Sequence, residues 1–561
     1  MIKLYFNLNT SLFEIKITES NRFIEDSISY ESEDYQIISS GYFLNTKDCL
    51  KNYHCKNLVE LILALYQEEI PIPKVLYGAY IIIIYVKKTG KLLVFNDLLS
   101  KHSIFYSYEK DTQQLFLSDH FFGVVGLLKE KGVSYTIDEL GVKMMIRHRM
   151  FYDNITYINE VKFLCPFQYI TITNRRCNID KIQKSTILDV TIDEAAHNIH
   201  TLFKKAVIYQ YEKNEKNGYP QVITLSGGMD SRTTFLYSLQ CGYTSQKCYN
   251  YAETGSADFK IAEELAQKNN CDFYFHSLGN GFFLTKRDEL CVANEGQMNY
   301  AGTTGTMDSL SFFNSKDFAI IHTGLGGGEI MGDVCSSEHP NRKEKIINSL
   351  RYRLGKGKKD FGWPTFFSSL NCTEDDLKRI HAIQNNYSDF NEFQNLNDLR
   401  RCLNAQKIAF SFGCYYISPF LYEDFFCYML RIPYELKKNR QLYLYWQKKY
   451  NPKQFETKST FRYGITSRSE IAYYAKRLWI YLINKSGGKT HYDMNPIEYW
   501  KKNNPTISTI QEELFSSDMQ IIKLTYNNHL FEYINDCWND NKTAKENILT
   551  ATWALVKLSS Y

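Results

Sequence analysis

A chain of 561 residues exceeds what one hydrophobic core usually covers, so two or more domains are expected. With 44% hydrophobic residues, 43 tyrosines and 36 phenylalanines it has material for packed cores, which excludes a mainly disordered chain. A net charge of +4, from 66 basic and 62 acidic residues, excludes a general basic surface for nucleic acid. Fourteen cysteines are scattered without a C-x-x-C pair or a His/Cys cluster at zinc spacing, the pattern of free thiols in a reducing cytosol.

The start, Met1-Ile2-Lys3-Leu4-Tyr5-Phe6, is followed by Glu14, Lys16 and Glu19 with no long apolar core, and so does not read as a signal peptide. The longest apolar run, Ala79 to Val86, is too short for a bilayer and reads as a buried strand. A cytoplasmic protein with no membrane insertion is expected. Up to about residue 175 the chain is rich in short β-prone runs: Ala79 to Tyr85, Leu92 to Phe95, Leu115 to Leu117 and Tyr169 to Ile172. Turn signals such as Lys88-Thr89-Gly90 separate them, which predicts a layered sheet domain.

From about 190 the pattern changes to alternating strand and helix. Ala195 to Tyr211 reads as a helix, Gln221 to Leu225 as a strand, and Arg232 to Leu239 as a helix. A strand near Lys247 to Tyr251 and a helix from Asp258 to Lys268 follow, then a strand pair at Phe273 to His276 and Phe318 to His322. Alternation of this kind predicts a parallel α/β sheet whose ligands sit beyond the carboxyl ends of its strands. From about 336 onward helical patterns dominate. Arg351, Arg353, Lys356, Lys358 and Lys359 around Gly355 and Gly357 read as an exposed basic loop.

The segment Leu225-Ser226-Gly227-Gly228-Met229-Asp230-Ser231, between a strand and an apolar helix, carries the most chemistry. Two glycines bring backbone N–H groups close to an anion, and Ser226 and Ser231 add hydroxyls at a helix N-terminus. Asp230 would repel phosphate unless a divalent cation bridged them, so it argues for Mg2+. No lysine closes the loop, which excludes a Walker A motif.

S-G-G-x-D-S after a strand resembles the pyrophosphate loop of the ATP pyrophosphatase ligases, the group that includes asparagine synthetase and GMP synthetase. Three further places resemble the asparagine synthetase family, in the same order. Phe95-Asn96-Asp97, Lys101 to Tyr106 and Leu115 to Asp119, with Gly78-Ala79-Tyr80 before and Leu164-Cys165-Pro166-Phe167 after, look like its amidotransferase-type domain. Thr323-Gly324-Leu325-Gly326-Gly327-Gly328-Glu329 with Gly332 is similar to its S-G-E-G-x-D-E loop. Ser418-Pro419-Phe420-Leu421, Ile432-Pro433 and Lys458-Ser459-Thr460-Phe461 are similar to its helical C-terminal part.

The resemblance implies a layered β-sandwich of the αββα, Ntn-hydrolase-like kind over 1–180 and a doubly wound parallel-sheet ligase domain over 190–561. It also implies ATP and Mg2+ as cofactors, with nucleotide held by Leu225, Ser226, Gly227, Gly228, Asp230, Ser231, Gly326 and Gly327. Asp230 and Glu329 are the implied metal ligands, and Lys458 and Glu329 the implied catalytic groups. Three departures stand out. Ile2 occupies the place of the glutamine-hydrolysing cysteine nucleophile, Gly328 and Leu325 replace acidic residues of the family loop, and Arg232 follows the first loop where a small residue is common. The implied activity is formation of an acyl-adenylate from a small-molecule or peptide carboxylate, followed by attack of an amine, without glutamine hydrolysis. An asparagine synthase fed by free ammonia or by an ammonia-supplying partner, a lasso-peptide or lactam cyclase, and a catalytically silent relative are the alternatives. The sequence leaves the pathway open, surface-polysaccharide or natural-product synthesis included, and the oligomeric state too, a homodimer included.

Overall fold

The structure is a computed structural model that describes residues 1–10, 12–17, 22–174, 176–303, 306–313, 317–333, 367–460, 470–540 and 543–561. The chain divides into two compact units: Met1–Val142 with Met150–Thr186 and Ala554–Tyr561, and Lys143–Arg149 with Ile187–Trp553.

The first unit holds β1 (Ile2–Asn7), β2 (Leu12–Ile17), β3 (Ile28–Glu31), β4 (Tyr35–Phe43), β5 (Gly78–Val86) and β6 (Lys91–Asn96). It continues with β7 (Phe105–Glu109), β8 (Gln114–Ser118), β9 (Lys162–Phe163), β10 (Gln168–Thr173) and β11 (Arg176–Lys181). They form two antiparallel sheets, ordered β2-β1-β8-β7-β9 and β11-β10-β6-β5-β4-β3. Side chains on a strand alternate between faces, and β5 shows why its run is apolar throughout. Ile81 and Ile83 enter a core shared with Leu4 and Phe6 of β1 and Leu115 and Leu117 of β8. Tyr80, Ile82 and Ile84 face Leu61, Ile62 and Leu65 of α2 (Leu58–Gln67), which follows the short α1 (Thr46–Asn52). α3 (Phe121–Glu130) lies on β1, β7 and β8, so the layers run helix, sheet, sheet, helix.

α4 (Glu139–His148) spans the first crossing between units. In the second unit α5 (Ile192–Lys216) opens with a capping box in which Thr191 and Glu194 satisfy each other's backbone amides. Then come β12 (Val222–Thr224), α6 (Met229–Gln240), β13 (Lys247–Ala252), α7 (Ala257–Lys268), β14 (Asp272–Ser277), β15 (Ile320–His322) and β16 (Tyr415–Ile417). All five strands are parallel, in the order β14-β13-β12-β15-β16. Both faces are covered: Ile223 packs with Phe235, Leu236, Ile261 and Leu265 of α6 and α7, and Val222 with Leu310 and Ile408 from later helices. Mixed α/β architecture with a doubly wound parallel sheet is thus present.

Two details differ from the sequence reading. The strands at Asp272–Ser277 and Ile320–His322 are not neighbours, because β13 and β12 lie between them. Tyr415–Ile417 lies in the region read as helical and supplies an edge strand, three residues long. The basic segment from Arg351 to Lys359 and the end of the Lys458-to-Phe461 motif fall outside the described residues. Among the described residues no helix is long and apolar enough to cross a membrane, and the described cysteines form no disulfide.

Ile223 is fully buried at the centre of the sheet, so Ile223→Ala is expected to cost about 2–5 kcal/mol by lost burial plus a cavity. Exposed Val292→Ser should change stability by no more than about 0.5 kcal/mol. Urea unfolding of the two variants checks both.

Candidate functional site

The strand order places the site. From β12 the chain moves outward through β13 and β14, then returns to the other side of β12 for β15 and β16. Connections diverge at such a reversal, leaving a crevice beyond the carboxyl ends of the two strands. The segments following β12 and β15 are the two glycine-rich loops, 225–228 and 323–328.

These loops touch. A Cβ on Gly324 would stand 2.2 Å from the Ser231 amide nitrogen, and one on Gly327 would stand 2.7 Å from Cβ and Cγ of Asp230. Only glycine permits that approach. Gly326, at φ +79°, completes the second turn, where a Cβ would meet Leu421 of the Ser418-to-Leu421 motif. That motif is a 3-10 turn after β16 that starts with Ser418 capping the Phe420 amide. Glu329, half-buried, begins the π-helix Glu329–Asp333 directly after the second loop.

Hydrogen bonds tie the first loop to itself and to α7. Its amides do not all face outward: Ser226 N–H donates to Ser231 Oγ at 3.0 Å, Gly228 N–H to Ser226 Oγ at 3.2 Å, and Gly227 N–H to Asp258 Oδ1 at 2.9 Å. The two serine hydroxyls share a 2.7 Å bond. The donors left over belong to the first turn of α6, since the N-cap Gly228 has no side chain to cap it and a helix's first amides lack partners within it. These amides lie at the positive end of the helix dipole, beside the second glycine loop, whose Gly324 packs against the Ser231 amide nitrogen.

Residues missed in the sequence hold the loop. Asp258, in the first turn of α7 behind the capping Ser256, is buried and accepts from Gly227 and from Asn250 Nδ2 at 3.1 Å. Burial pushes its carboxyl up from the ordinary range, and these two hydrogen bonds draw it part of the way back. Asn250 also donates to the Leu225 carbonyl at 2.8 Å, fixing the exit from β12. The one local signal was an acidic residue two positions after a helix-capping serine; its partner lies 31 residues away.

Asp230 is half-buried, and its Oδ1 accepts from the Tyr443 hydroxyl at 2.9 Å. Burial, then the nearby carboxylate, raises the Tyr443 pKa well above its usual value, so the phenol remains a donor. Among the described residues Asp230 Oδ2 carries no hydrogen bond, leaving a hard oxygen at the start of α6. No group of three or more His, Cys, Asp or Glu side chains gathers as a metal site among the described residues. Mg2+ suits one or two carboxylates plus phosphates and water, and the Asp230 oxygen fits that mode.

Lys458 is exposed, but its backbone lies on the loop. The Gly227 carbonyl accepts from Thr460 N–H at 2.9 Å and from Ser459 Oγ at 3.2 Å. Lys458 is thus tethered to the segment it was expected to serve. On the flank, His322 at the end of β15 stacks on Tyr211 at 3.6 Å and bonds Gln221 Oε1 through Nε2 at 3.0 Å.

No family model and no curated protein matches this chain. Among solved structures it is similar to NMN synthetase from Francisella tularensis at 17% identity, over 38% of this chain and 94% of that one, with a TM-score of 0.19. It is also similar to a glutamine-dependent NAD+ synthetase from Acinetobacter baumannii, solved with ADP, at 13% identity and a TM-score of 0.19. That match covers 47% of this chain and 59% of the synthetase, so the chain spans about three-fifths of its length. Likeness at this level says nothing further of this chain.

Gly324→Ala must push the loops apart and is expected to cost about 1–3 kcal/mol, whereas Gly302→Ala, where a Cβ would find its nearest neighbour at 3.8 Å, should be nearly neutral. Thermal midpoints compare the pair. Burial pushes the His322 pKa down to about 3, below the ordinary value of 6.5. The unfolded chain therefore takes up this proton first, and stability should fall as pH drops from about 6.5 toward 3, by at most about 1.4 kcal/mol per pH unit. Urea midpoints measured from pH 7.5 to 5 should fall less steeply in His322→Gln; equal slopes would remove His322 as the cause.

Proposed function

We propose that this chain is an ATP-dependent ligase that forms an amide through an acyl-adenylate. The observation that carries this reading is the meeting of two glycine loops around Asp230 at the reversal of a parallel sheet. Such a crevice suits a polyphosphate: close backbone approach, an uncapped helix start and a carboxylate for a bridging cation.

In this reading the substrate carboxylate attacks the α-phosphate of ATP, the bond to the β-phosphate breaks, and pyrophosphate leaves. An amine then attacks the acyl carbon, giving the amide and AMP. The first-turn amides of α6 hold the departing phosphates, with Leu225 to Gly228 and Ser231 shaping the turn and Gly326 and Gly327 closing it from the far side. Mg2+, when bound, neutralises charge on those phosphates, and Asp230 would hold it with Glu329 as the nearby second carboxylate. Tyr443 orients Asp230 by its hydrogen bond. Lys458 supplies a positive charge from the segment lying on Gly227.

The first unit, by the same reading, hydrolyses no glutamine: Ile2 is 1% exposed and packs in the core between the sheets, where a nucleophile would have no access. The amine then comes from the substrate itself or as ammonia, free or supplied by a partner. An asparagine-synthetase-type reaction is the form we favour, in surface-polysaccharide or natural-product synthesis. One observation favours a second reading, a nucleotide-binding relative without catalysis: the amides of Ser226, Gly227 and Gly228 are already paired.

Exchange of labelled pyrophosphate into ATP, driven by a panel of carboxylates, separates the two. A Mg2+-dependent exchange is expected, reduced about 100-fold or more in Asp230→Asn and in Lys458→Ala at unchanged thermal midpoint. If folded protein exchanges with no carboxylate, or Asp230→Asn matches wild type, the ligase reading fails.

A further inference from the structure

Among the described residues Arg232 is the largest fully buried charged side chain, at 0% exposure on α6. Its guanidinium makes no ion pair with a carboxylate among the described residues. Instead Nη1 donates to the carbonyls of Gln454 at 3.1 Å and Thr457 at 3.0 Å, and Nη2 to those of Lys458 at 2.6 Å and Gly227 at 3.4 Å. Burial pushes its pKa down to about 10, which leaves it charged near neutral pH.

A buried cation is costly unless its protons are satisfied, and a planar fork with several fixed donors is suited to gathering several carbonyls at once. The four carbonyls gathered here come from the first glycine loop and from the segment that carries Lys458. Gln454 strengthens the junction by donating from Nε2 to the Met229 carbonyl at 3.0 Å. No shorter side chain at 232 could span from α6 to three carbonyls in 454–458, and an apolar one would strand all of them.

We propose that Arg232 is a positioning residue: a buried cation that clamps residues 454–458 onto the Gly227 turn and so fixes where Lys458 stands over the phosphate crevice. The clamp is a statement about the chain's own backbone; its use in catalysis rests on the ligase reading above. Its charge, sunk beneath the start of α6, also adds to the positive field that faces an incoming polyphosphate.

The test measures backbone amide exchange in the full chain, followed at Thr460, whose N–H bonds the Gly227 carbonyl. Arg232→Gln is expected to speed exchange there roughly tenfold or more while β13 stays protected, and Arg232→Lys, which keeps the charge but not the fork, to speed it less. Unchanged protection at Thr460 in both variants overturns the clamp. So does unfolding of both as a whole, which would make Arg232 a determinant of the fold instead. In pyrophosphate exchange, Arg232→Gln should lower kcat with little change in KM for ATP, and adding Lys458→Ala should cost little more than Lys458→Ala alone. Loosened exchange with wild-type kcat would overturn the positioning role. A wild-type protein with no exchange activity and an Arg232-dependent Thr460 amide would defeat the ligase reading and leave the clamp standing.

Discussion

The Gly227 peptide is held on both sides, and the rest of the site depends on that. Its N–H is taken by the buried carboxylate of Asp258 and its carbonyl by the backbone of Thr460. Buried peptide groups need partners, so a turn this tight must draw them from elsewhere in the chain. Here they come from 31 residues downstream and from beyond residue 450. The loop is therefore a junction of three segments and cannot take its shape from its own sequence alone. A side chain on Gly227 would press on Thr460 at 2.8 Å and on the backbone of Asp258 at 3.0 Å, so the glycine is required by its neighbours.

That junction sorts the charges. Asp258, Arg232 and Tyr443 are buried behind the loop with their hydrogen-bonding groups largely turned toward protein partners, while Asp230, among the described residues, keeps one oxygen without a hydrogen bond at the helix start. Charge that stays free in a low-dielectric crevice interacts with a ligand far more strongly than charge at a surface. The same economy explains the second loop. Gly324 and Gly327 bring backbone against Asp230 and Ser231 where any side chain would fill the space.

Much of this was legible in the sequence. The serine-glycine loop, the second glycine loop and the strands before them stand out because close backbone approach demands glycine and a buried parallel strand demands a short apolar run. The four layers of the first unit follow from runs such as Ala79 to Tyr85, apolar on both faces because both faces are covered. What was illegible is long-range. Asp258 is an acidic residue at the start of a predicted helix, Tyr443 is marked by no local pattern, and Arg232 is a departure from the family loop whose partners the sequence does not show. Their roles lie in partners 31 to 226 residues away, which no local pattern encodes. The inward pairing of the loop amides was hidden for the same reason: a motif records which residues turn, not what saturates them. β16 is three residues long, below the length at which alternation can be read.

The central claim is that the phosphates of ATP lie at the start of α6, between the loops that follow β12 and β15. A crystal structure with a non-hydrolysable ATP analogue and Mg2+ tests it most directly. The predicted result is phosphate density against the Met229–Ser231 amides with the cation on Asp230. Nucleotide bound elsewhere, with this crevice closed by its own side chains, would contradict it.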